Sequence, residues 1–327
     1  MKKITILEPG AWGITLGILL SRNHEVLFWY SDKDLAEEIG KNRENERLSG
    51  TKIPRKISVS SDLGKSLDRS DLIIIAASSF NFRDTVERLK KFGNLPPLLG
   101  IAKGIEKGTC LLPSQIVKDV LGERVSYCHL SGPGFAKEII LGRKAQEVIA
   151  SENPEILGDL KELFTVSPLE IFTTQDVIGL QLAGAFKNVI SIGIGLIEAK
   201  NPVPAPEKTK KTLITLGLEE MIKLGRKLGA EEKTFRGPAG LGDLILTASP
   251  LSRNWQFGRE IFKYCPAILQ AAKEKKSTTE GFNSVSGVLQ LAKKYSIDLP
   301  IISEIHKVIY GEISPTEAIE NLVTLTK

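Results

Sequence analysis

The stretch that decides the fold is ITILEPGAWGITLGILL, residues 4–20. Residues 4–7 form a short apolar run that ends at a Pro-Gly break, and residues 12–21 form an apolar helical stretch with small residues on one side. A strand that passes through a glycine turn into a helix is typical of dinucleotide-binding domains, where the glycines permit the tight turn, the approach to a pyrophosphate and close helix–strand packing. The segment therefore predicts the first strand and helix of such a domain.

Glu8 is the exception within this turn. Gly10 and Gly13 occupy the second and third glycine positions of the fingerprint, but Glu8 occupies the first. Because Pro9 biases the residue before it toward an extended conformation, we expect Glu8 to prolong the strand and to direct its carboxylate away from the pyrophosphate. A carboxylate directed inward would weaken cofactor binding, and Glu8→Gly would then strengthen it.

The rest of the first half alternates between strand-like and helix-like segments. Further strands are expected at residues 25–29, 71–77, 98–102 and 126–130, with helical stretches such as 81–91 and 113–121 between them. This alternation predicts an α/β fold with a Rossmann-type, doubly wound, mostly parallel sheet. After about residue 178 only helical patterns remain, which predicts an all-α C-terminal domain. We therefore expect a dinucleotide-binding domain over residues 1–178 and a helical substrate domain over residues 179–327.

One helical segment, residues 177–199, is long and apolar enough to span a membrane. It contains Gln181, Lys187 and Asn188, and a lysine in the middle of a bilayer costs about 2.5–3.5 kcal/mol on insertion scales. Its glycines and alanines suit close packing in a protein core. We interpret it as a buried helix, expect no membrane association, and expect a functional reason for the lysine.

Composition limits the kinds of partner. The chain has 327 residues and a net charge of +5 with dispersed lysines, so nucleic acid is not the first expectation. An excess of solvated surface lysines explains the charge, and an anionic small-molecule partner also fits it. The three cysteines lie far apart without metal-ligand spacing, which indicates a reducing, cytoplasmic location and no metal site. Lys2 and Lys3 followed by apolar residues have the pattern of a secretory signal, but residues 8–10 interrupt the apolar run. We therefore interpret this segment as the first β-strand.

Three further segments are candidates for chemistry. Lys103 and the turn at residues 131–134 each follow a strand, and ligands of doubly wound sheets bind beyond the carboxyl ends of strands. Lys187 lies in the apolar helix, where burial and a second cation such as Lys103 would lower the pKa of its ammonium group. Such a lysine is a candidate general acid/base for interconversion of a hydroxyl and a ketone. A solvated loop lysine, a plain turn and a lysine that extends to the surface are the structural alternatives.

The segment at residues 237–259 forms another candidate cluster. Asp243 and Thr247 are four residues apart, so they share a face if the segment is helical. Arg253 and Asn254 follow a proline-containing break, and a guanidinium there would suit bidentate binding of a phosphate. An aspartate cap and a surface arginine are the structural alternatives. Near the end of the second strand, Asp32 could accept a bond from a ribose or Lys33 could meet a 2′-phosphate, so NAD and NADP both stay open.

Together these segments resemble the bacterial NAD(P)-dependent glycerol-3-phosphate dehydrogenases from Ile4 to about Leu322. The stretches that carry the resemblance are GAWG (10–13), KGIE (103–106), LSGPGFA (130–136), DVIGLQLAGAFKNVI (176–190), LITLGLEEM (213–221), TFRGPAGLGDLILT (234–247), LSRNWQFG (251–258) and TEGF (279–282). Their order and spacing over the whole chain are specific, although no single stretch decides the matter.

This resemblance implies reversible reduction of dihydroxyacetone phosphate to sn-glycerol 3-phosphate with NAD(H) or NADP(H), for the supply of glycerophospholipid precursors, and is compatible with a homodimer. It implies that Lys187 is the general acid/base, that Lys103 holds the substrate and polarises its carbonyl, and that Asp243 completes the catalytic set. The residues implied to line the substrate are Lys103, Gly132, Gly134, Lys187, Asn188, Asp243, Thr247, Ser252, Arg253 and Asn254. The residues implied to contact the cofactor are Gly10, Ala11, Trp12, Gly13, Lys103, Ala136, Arg253, Thr278 and Glu280.

Several positions depart from the family pattern, and they keep other functions open. Glu8 replaces a glycine, Gly134 stands where serine is usual, and Ser31 replaces a residue that is often arginine, which weakens the case for NADP. The other departures are Leu216 in place of arginine and residues 207–208, Glu-Lys in place of Asp-Asn, after a proline-rich loop. The alternatives are a two-domain reductase of another phosphorylated or carboxylated ketone and a catalytically inactive cofactor-binding relative.

Overall fold

The computed structural model describes residues 1–123, 125–200, 207–264, 270 and 279–326. The chain separates into two units. Unit 1 comprises Met1–Ala102 and Pro113–Val177, and unit 2 comprises Lys103–Leu112 and Ile178–Lys327. The predicted domain division between residues 178 and 179 lies one residue from the later of these boundaries, but Lys103–Leu112 groups with the helical half. The assignment of functions to the two domains stays a prediction.

Unit 1 contains the predicted doubly wound sheet. Its strands are β1 Lys3–Leu7, β2 Glu25–Trp29, β3 Ser58–Ser60, β4 Leu72–Ile75, β5 Leu98–Gly100, β6 Tyr127–Ser131, β7 Ala145–Ser151 and β8 Leu169–Thr174. The spatial order is β3-β2-β1-β4-β5-β6-β7-β8, and all neighbours are parallel except the antiparallel pair β6–β7. This arrangement confirms the predicted fold class. The sequence patterns did not reveal β3, β7 and β8, because polar or charged residues interrupt their apolar runs.

The helices of unit 1 cover the sheet. They are α1 Ala11–Leu20, α2 Lys33–Asn42, α3 Leu63–Leu67, α4 Phe82–Glu87, α5 Pro113–Leu121, α6 Ala136–Ile140 and α7 Pro154–Phe164. Helix α1 lies close against the sheet because two of its residues lack a Cβ: at Gly13 a Cβ would lie 2.7 Å from Ala76 Cβ, and at Gly17 it would overlap the Phe28 ring. Gly13 thus has the packing role of the third fingerprint glycine.

Apart from the non-helical segment Lys103–Leu112, the described part of unit 2 consists of helices and their connections. Its helices are α8 Val177–Lys200, which starts at the last residue of unit 1, α9 Glu207–Lys227, α10 Glu232–Arg236, α11 Asp243–Thr247, α12 Arg253–Tyr264, α13 Glu280–Lys294, α14 Pro300–Tyr310 and α15 Pro315–Leu325. Most of the proline-rich loop, residues 201–206, lies outside the described residues. The core gathers aliphatic side chains from α8, α9 and α13–α15, and it includes Ile105 and Leu112 from the separate segment Lys103–Leu112.

Helix α8 is the centre of unit 2. Within the described residues, Val177–Ala199 is the one helical stretch that is long and apolar enough to cross a membrane, and 94% of its most apolar window is buried inside the protein. The burial agrees with the interpretation of this segment as a core helix. At Gly195 a Cβ would overlap the backbone carbonyl oxygen of Trp255, so α8 and α12 are in backbone contact at this position.

We predict that Gly195→Ala destabilises unit 2 by roughly 1–3 kcal/mol or more, because the added methyl group overlaps backbone atoms that cannot rotate away. Gly158→Ala is the control, since Gly158 lies exposed in α7 and a Cβ there would meet no packed atom within 4 Å. There the substitution should stabilise the protein by about 0.5–1 kcal/mol through helix propensity. Denaturant unfolding measures both changes, and equal stability of the two variants would contradict the close α8–α12 contact.

Candidate active site

The turn between β1 and α1 has the features that a dinucleotide pyrophosphate requires. Gly10 is the N-cap of the ten-residue helix α1, and no side chain caps the first turn. The first intrahelical bond runs from Ile14 N–H to Gly10 O, so the amides before it face the entrance of the helix. A Cβ on Gly10 would meet only the Arg47 side chain, at 3.6 Å from Nη1. The open backbone, the helix N-terminus and the nearby guanidinium fit an anionic cofactor.

Glu8 does not prolong the strand, and the prediction of an extended conformation is wrong. Its φ is +52°, in the left-handed region that glycine adopts most easily. The turn geometry therefore overrides the influence of Pro9. The Glu8 carboxylate lies beside the end of β2, where Oε1 accepts a hydrogen bond from Ser31 N–H at 2.8 Å.

Trp12 connects the start of α1 to the second glycine turn of unit 1. Its indole Nε1 donates to Gly134 O at 2.8 Å, which brings together the predicted residues 10–13, Gly134 and the nearby Ala136 at the start of α6. The buried Glu147 lies beneath this turn: a Cβ on Gly134 would lie 2.7 Å from Glu147 Oε1. The glycine that replaces the usual serine thus leaves space for the Glu147 carboxylate.

Unit 2 contains a buried cluster of three charged side chains. Asp243 accepts from Lys187 Nζ through Oδ1 and from Lys103 Nζ through Oδ2, each at 2.8 Å. The exposed side-chain fractions are 1% for Asp243, 6% for Lys187 and 18% for Lys103. All three residues were candidates from the sequence, and the structure shows that the Asp243 carboxylate lies between the two ammonium groups. Lys103 is the most accessible of the three.

A π-type turn, Pro238–Gly242, positions Asp243 at the start of α11. The backbone passes so close to itself here that a Cβ on Gly240 would overlap the Phe235 carbonyl, which shows that the turn is tight. Thr247 lies one helical turn beyond Asp243, as predicted, and its Oγ1 donates to Asp243 O at 2.7 Å. Single π-type turns occur often at functional sites, where they redirect a side chain.

Buried polar side chains also link the helices that carry Lys187 and Asp243 to their neighbours. Asn254 Nδ2 donates to Asn188 Oδ1 at 2.9 Å, and Asn254 Oδ1 accepts from Gly281 N–H at 2.9 Å. Ser191 Oγ donates to Thr247 O at 2.6 Å and lies 3.2 Å from Ser252 Oγ. These bonds join α8, α11, the start of α12 and the start of α13.

The remaining predicted residues of unit 2 lie at helix starts. Arg253 is the first residue of α12, is exposed, and has no ion-pair partner in the part of the chain that the structure describes. Glu280 is the first residue of α13, next to the Gly281 amide that bonds Asn254. Thr278 lies outside the described residues. An exposed guanidinium beside a buried polar network is suited to an anionic group of a ligand.

Comparison with known proteins identifies the family. The sequence-family model for the N-terminus of NAD-dependent glycerol-3-phosphate dehydrogenases matches residues 3–157. The sequence-family model for the C-terminus of the same family matches residues 176–320. The chain belongs to the NAD-dependent glycerol-3-phosphate dehydrogenase family. The resemblance inferred from the sequence motifs is thereby confirmed.

Relatives within this family match along the full length. The glycerol-3-phosphate dehydrogenase (NAD(P)+) of Dechloromonas aromatica (strain RCB) is 35% identical over 325 residues, covering 98% of this chain and 97% of the relative. The protein of the same name from Carboxydothermus hydrogenoformans is 34% identical, covering 99% and 97%. The crystal structure of glycerol-3-phosphate dehydrogenase from Coxiella burnetii is 28% identical with a TM-score of 0.91, covering 98% of both chains.

The sequence patterns did not identify three parts of the site. Ser191 is four residues after Lys187 in α8, so helical spacing alone could have placed it on the same face. The Gly281 amide gives no sequence signal, because its role depends on the Asn254 side chain. The pairing of Glu147 with Gly134 depends on the antiparallel strands β6 and β7, whose register the sequence pattern did not reveal.

We predict that position 8 prefers glycine to alanine, because a positive φ is unfavourable for alanine but not for glycine. Both Glu8→Ala and Glu8→Gly lose the bond to Ser31, but the glycine variant should be more stable than the alanine variant by about 1 kcal/mol. Denaturant unfolding gives the comparison.

The same pair of substitutions at Glu162, exposed in α7, serves as the control. In a helix the order should reverse, with alanine more stable by about 1 kcal/mol. An alanine variant at position 8 that equals or exceeds the glycine variant would show that the turn does not require a positive φ.

Proposed function

We propose that this protein is an oxidoreductase that interconverts dihydroxyacetone phosphate and sn-glycerol 3-phosphate with NAD(H) or NADP(H). The observation that carries the proposal is the convergence of Lys103 and Lys187 on the buried Asp243 carboxylate. Membership of the family and the full-length match to proteins named for this reaction support it. A catalytically inactive relative would have no need to keep two ammonium groups and a carboxylate in a protein interior, where charges are costly.

Each charged side chain has a separate role in this proposal. Lys187 is the general acid/base: Nζ gives a proton to the oxygen that develops negative charge as the ketone is reduced, and removes it in the reverse direction. Lys103, the more exposed lysine, holds the substrate and polarises its carbonyl. Asp243 completes the catalytic set, accepting one bond from each ammonium group and fixing the direction of both Nζ atoms. The hydride is the contribution of the bound nicotinamide.

The substrate phosphate and the cofactor are assigned to the surrounding groups. Arg253 is a candidate for bidentate binding of the phosphate dianion, because its guanidinium is exposed at the start of α12. The further residues proposed to line the substrate are Gly132, Gly134, Asn188, Thr247, Ser252 and Asn254. The residues proposed to hold the cofactor are Gly10, Ala11, Trp12, Gly13, Lys103, Ala136, Arg253, Thr278 and Glu280.

Three finer parts of the proposal concern the cell. We expect a cytoplasmic protein, a homodimer, and a product used as a precursor of glycerophospholipids. They rest on the resemblance to the family. No nucleic acid or membrane partner is part of the proposed function.

The direct test supplies the purified protein with dihydroxyacetone phosphate and either NADH or NADPH, and follows the absorbance of the reduced nicotinamide. We expect oxidation that depends on the substrate with at least one of the two cofactors. Dihydroxyacetone without its phosphate is the control, and it should react far more slowly because no group then engages Arg253. Absence of turnover with both cofactors, in a folded sample, would contradict the proposal, and faster turnover of a carboxylated ketone would favour the other reductase.

We predict that Lys187→Ala lowers kcat at least about a hundredfold, the usual loss when a general acid/base is removed. The control is Lys227→Ala, since Lys227 is an exposed lysine at the end of α9 in the same unit. Circular dichroism and cofactor affinity show whether each variant is folded. Normal turnover by the folded Lys187→Ala variant would rule out the proton-transfer role.

A further inference from the structure

Glu8 is joined to the end of β2 by two hydrogen bonds, although it belongs to the turn after β1. Its backbone N–H donates to Trp29 O at 2.8 Å, and its side-chain Oε1 accepts from Ser31 N–H at 2.8 Å. The residue is half-buried, and among the described residues its second oxygen, Oε2, has no hydrogen-bond partner. A carboxylate from one strand end is therefore fixed at the neighbouring strand end, with one oxygen available.

This position has a known meaning in dinucleotide-binding sheets. An acidic residue at the end of the second strand accepts bonds from the adenosine ribose of NAD, whereas an arginine there accommodates the 2′-phosphate of NADP. In this chain the residue at that place is Ser31, which provides neither group as a side chain. The carboxylate that its amide binds comes from Glu8.

The acidic residue that follows in the sequence has a different use. Asp32 is the N-cap of α2, and its Oδ1 accepts from Leu35 N–H at 3.0 Å. Lys33, the candidate for a 2′-phosphate, lies 3.7 Å from Glu37 Oε1 on the exposed face of α2. Neither of the two side chains considered from the sequence is directed by a bond toward the β1–β2 strand ends.

Two side chains of opposite charge, Arg47 and Glu8, lie near this turn. The Arg47 guanidinium lies next to Gly10, the glycine that the pyrophosphate approaches, and the pyrophosphate is common to both cofactors. Glu8 is near the buried Tyr30, whose hydroxyl donates to Pro9 O at 3.1 Å. Burial raises the pKa of Tyr30 and the Glu8 charge adds to the rise, while the hydrogen bond with Asn45 and the Arg47 charge oppose it.

We infer that Glu8 determines cofactor specificity: its carboxylate accepts from the ribose hydroxyls of NAD(H) and repels the 2′-phosphate of NADP(H). The inference rests on one part of the proposed function, the binding of a nicotinamide dinucleotide by unit 1. This role explains why glutamate replaces the fingerprint glycine: the positive φ of Glu8 brings its side chain to the end of β2. A carboxylate facing a phosphate dianion is a repulsive element against the wrong ligand.

The test measures dissociation constants of NADH and NADPH by calorimetry for the ligand-free wild type and for Glu8→Gln. Glutamine keeps an oxygen that can accept from Ser31 N–H but removes the charge. We expect the wild type to bind NADH at least about tenfold more tightly than NADPH, and the glutamine variant to lose about tenfold of that preference, mainly through tighter NADPH binding.

Two matched variants serve as controls. Asp32→Asn removes the neighbouring carboxylate while keeping a good helix cap, and Glu162→Gln makes the same chemical change on α7, which packs at the β7–β8 side of the sheet. Both should leave the ratio of the two dissociation constants within about twofold of the wild type, because neither side chain faces the ribose.

The outcomes separate this inference from the proposed function. If the wild type binds both cofactors and Glu8→Gln leaves their ratio unchanged, or if Asp32→Asn changes the ratio instead, the role of Glu8 is overturned while the proposed function stands. If the wild type binds neither dinucleotide, the proposed function fails and the inference fails with it.

Discussion

The Asp243 carboxylate, buried between two lysines, is the constraint on which the rest of unit 2 depends. Removing one partner from a buried ion pair costs about 3–5 kcal/mol, because the remaining charge has lost both water and its counterion. The chain therefore has to bring three distant residues to one point. Helix α8 supplies Lys187, the π-type turn supplies Asp243, and the segment Lys103–Leu112 supplies the second ammonium group. The Asn188–Asn254 and Ser191–Ser252 contacts hold the helices that carry them.

The sequence patterns predicted the elements that periodicity or motif spacing describes. The strand–helix–strand start, the helical second half and the buried helix α8 were recognisable because each is a long or strongly apolar segment. The polar strand β3 and the strands β7 and β8 were not recognisable. The antiparallel register of β6 and β7, which places Glu147 under Gly134, therefore could not be predicted either. The lysines and Asp243 were identified as candidates by position and residue type, but only folding shows that they share a hydrogen-bonded cluster.

Two of the departures from the family pattern, Glu8 and Gly134, make defined contacts in the structure. Glu8, at a glycine position, has a positive φ, and its carboxylate accepts from the backbone N–H of Ser31. Gly134, at a serine position, lies against the Glu147 carboxylate, which would collide with a larger side chain. The local preference imposed by Pro9 predicted the wrong conformation for Glu8. The positions of β1, β2 and α1 fix the direction of the turn, and this constraint overrides the local preference. Contacts of this kind are not predictable when positions are considered one at a time.

The segment Lys103–Leu112 also determines how the protein can be divided. It precedes much of unit 1 in the chain, yet Ile105 and Leu112 are buried in the core of unit 2. A cut between Val177 and Ile178 would leave this segment, and Lys103 with it, on the wrong fragment. The two units are therefore not interchangeable modules: during synthesis the first piece of unit 2 emerges early and must wait for the helices that complete its core, and in evolution neither unit can be exchanged by a single crossover.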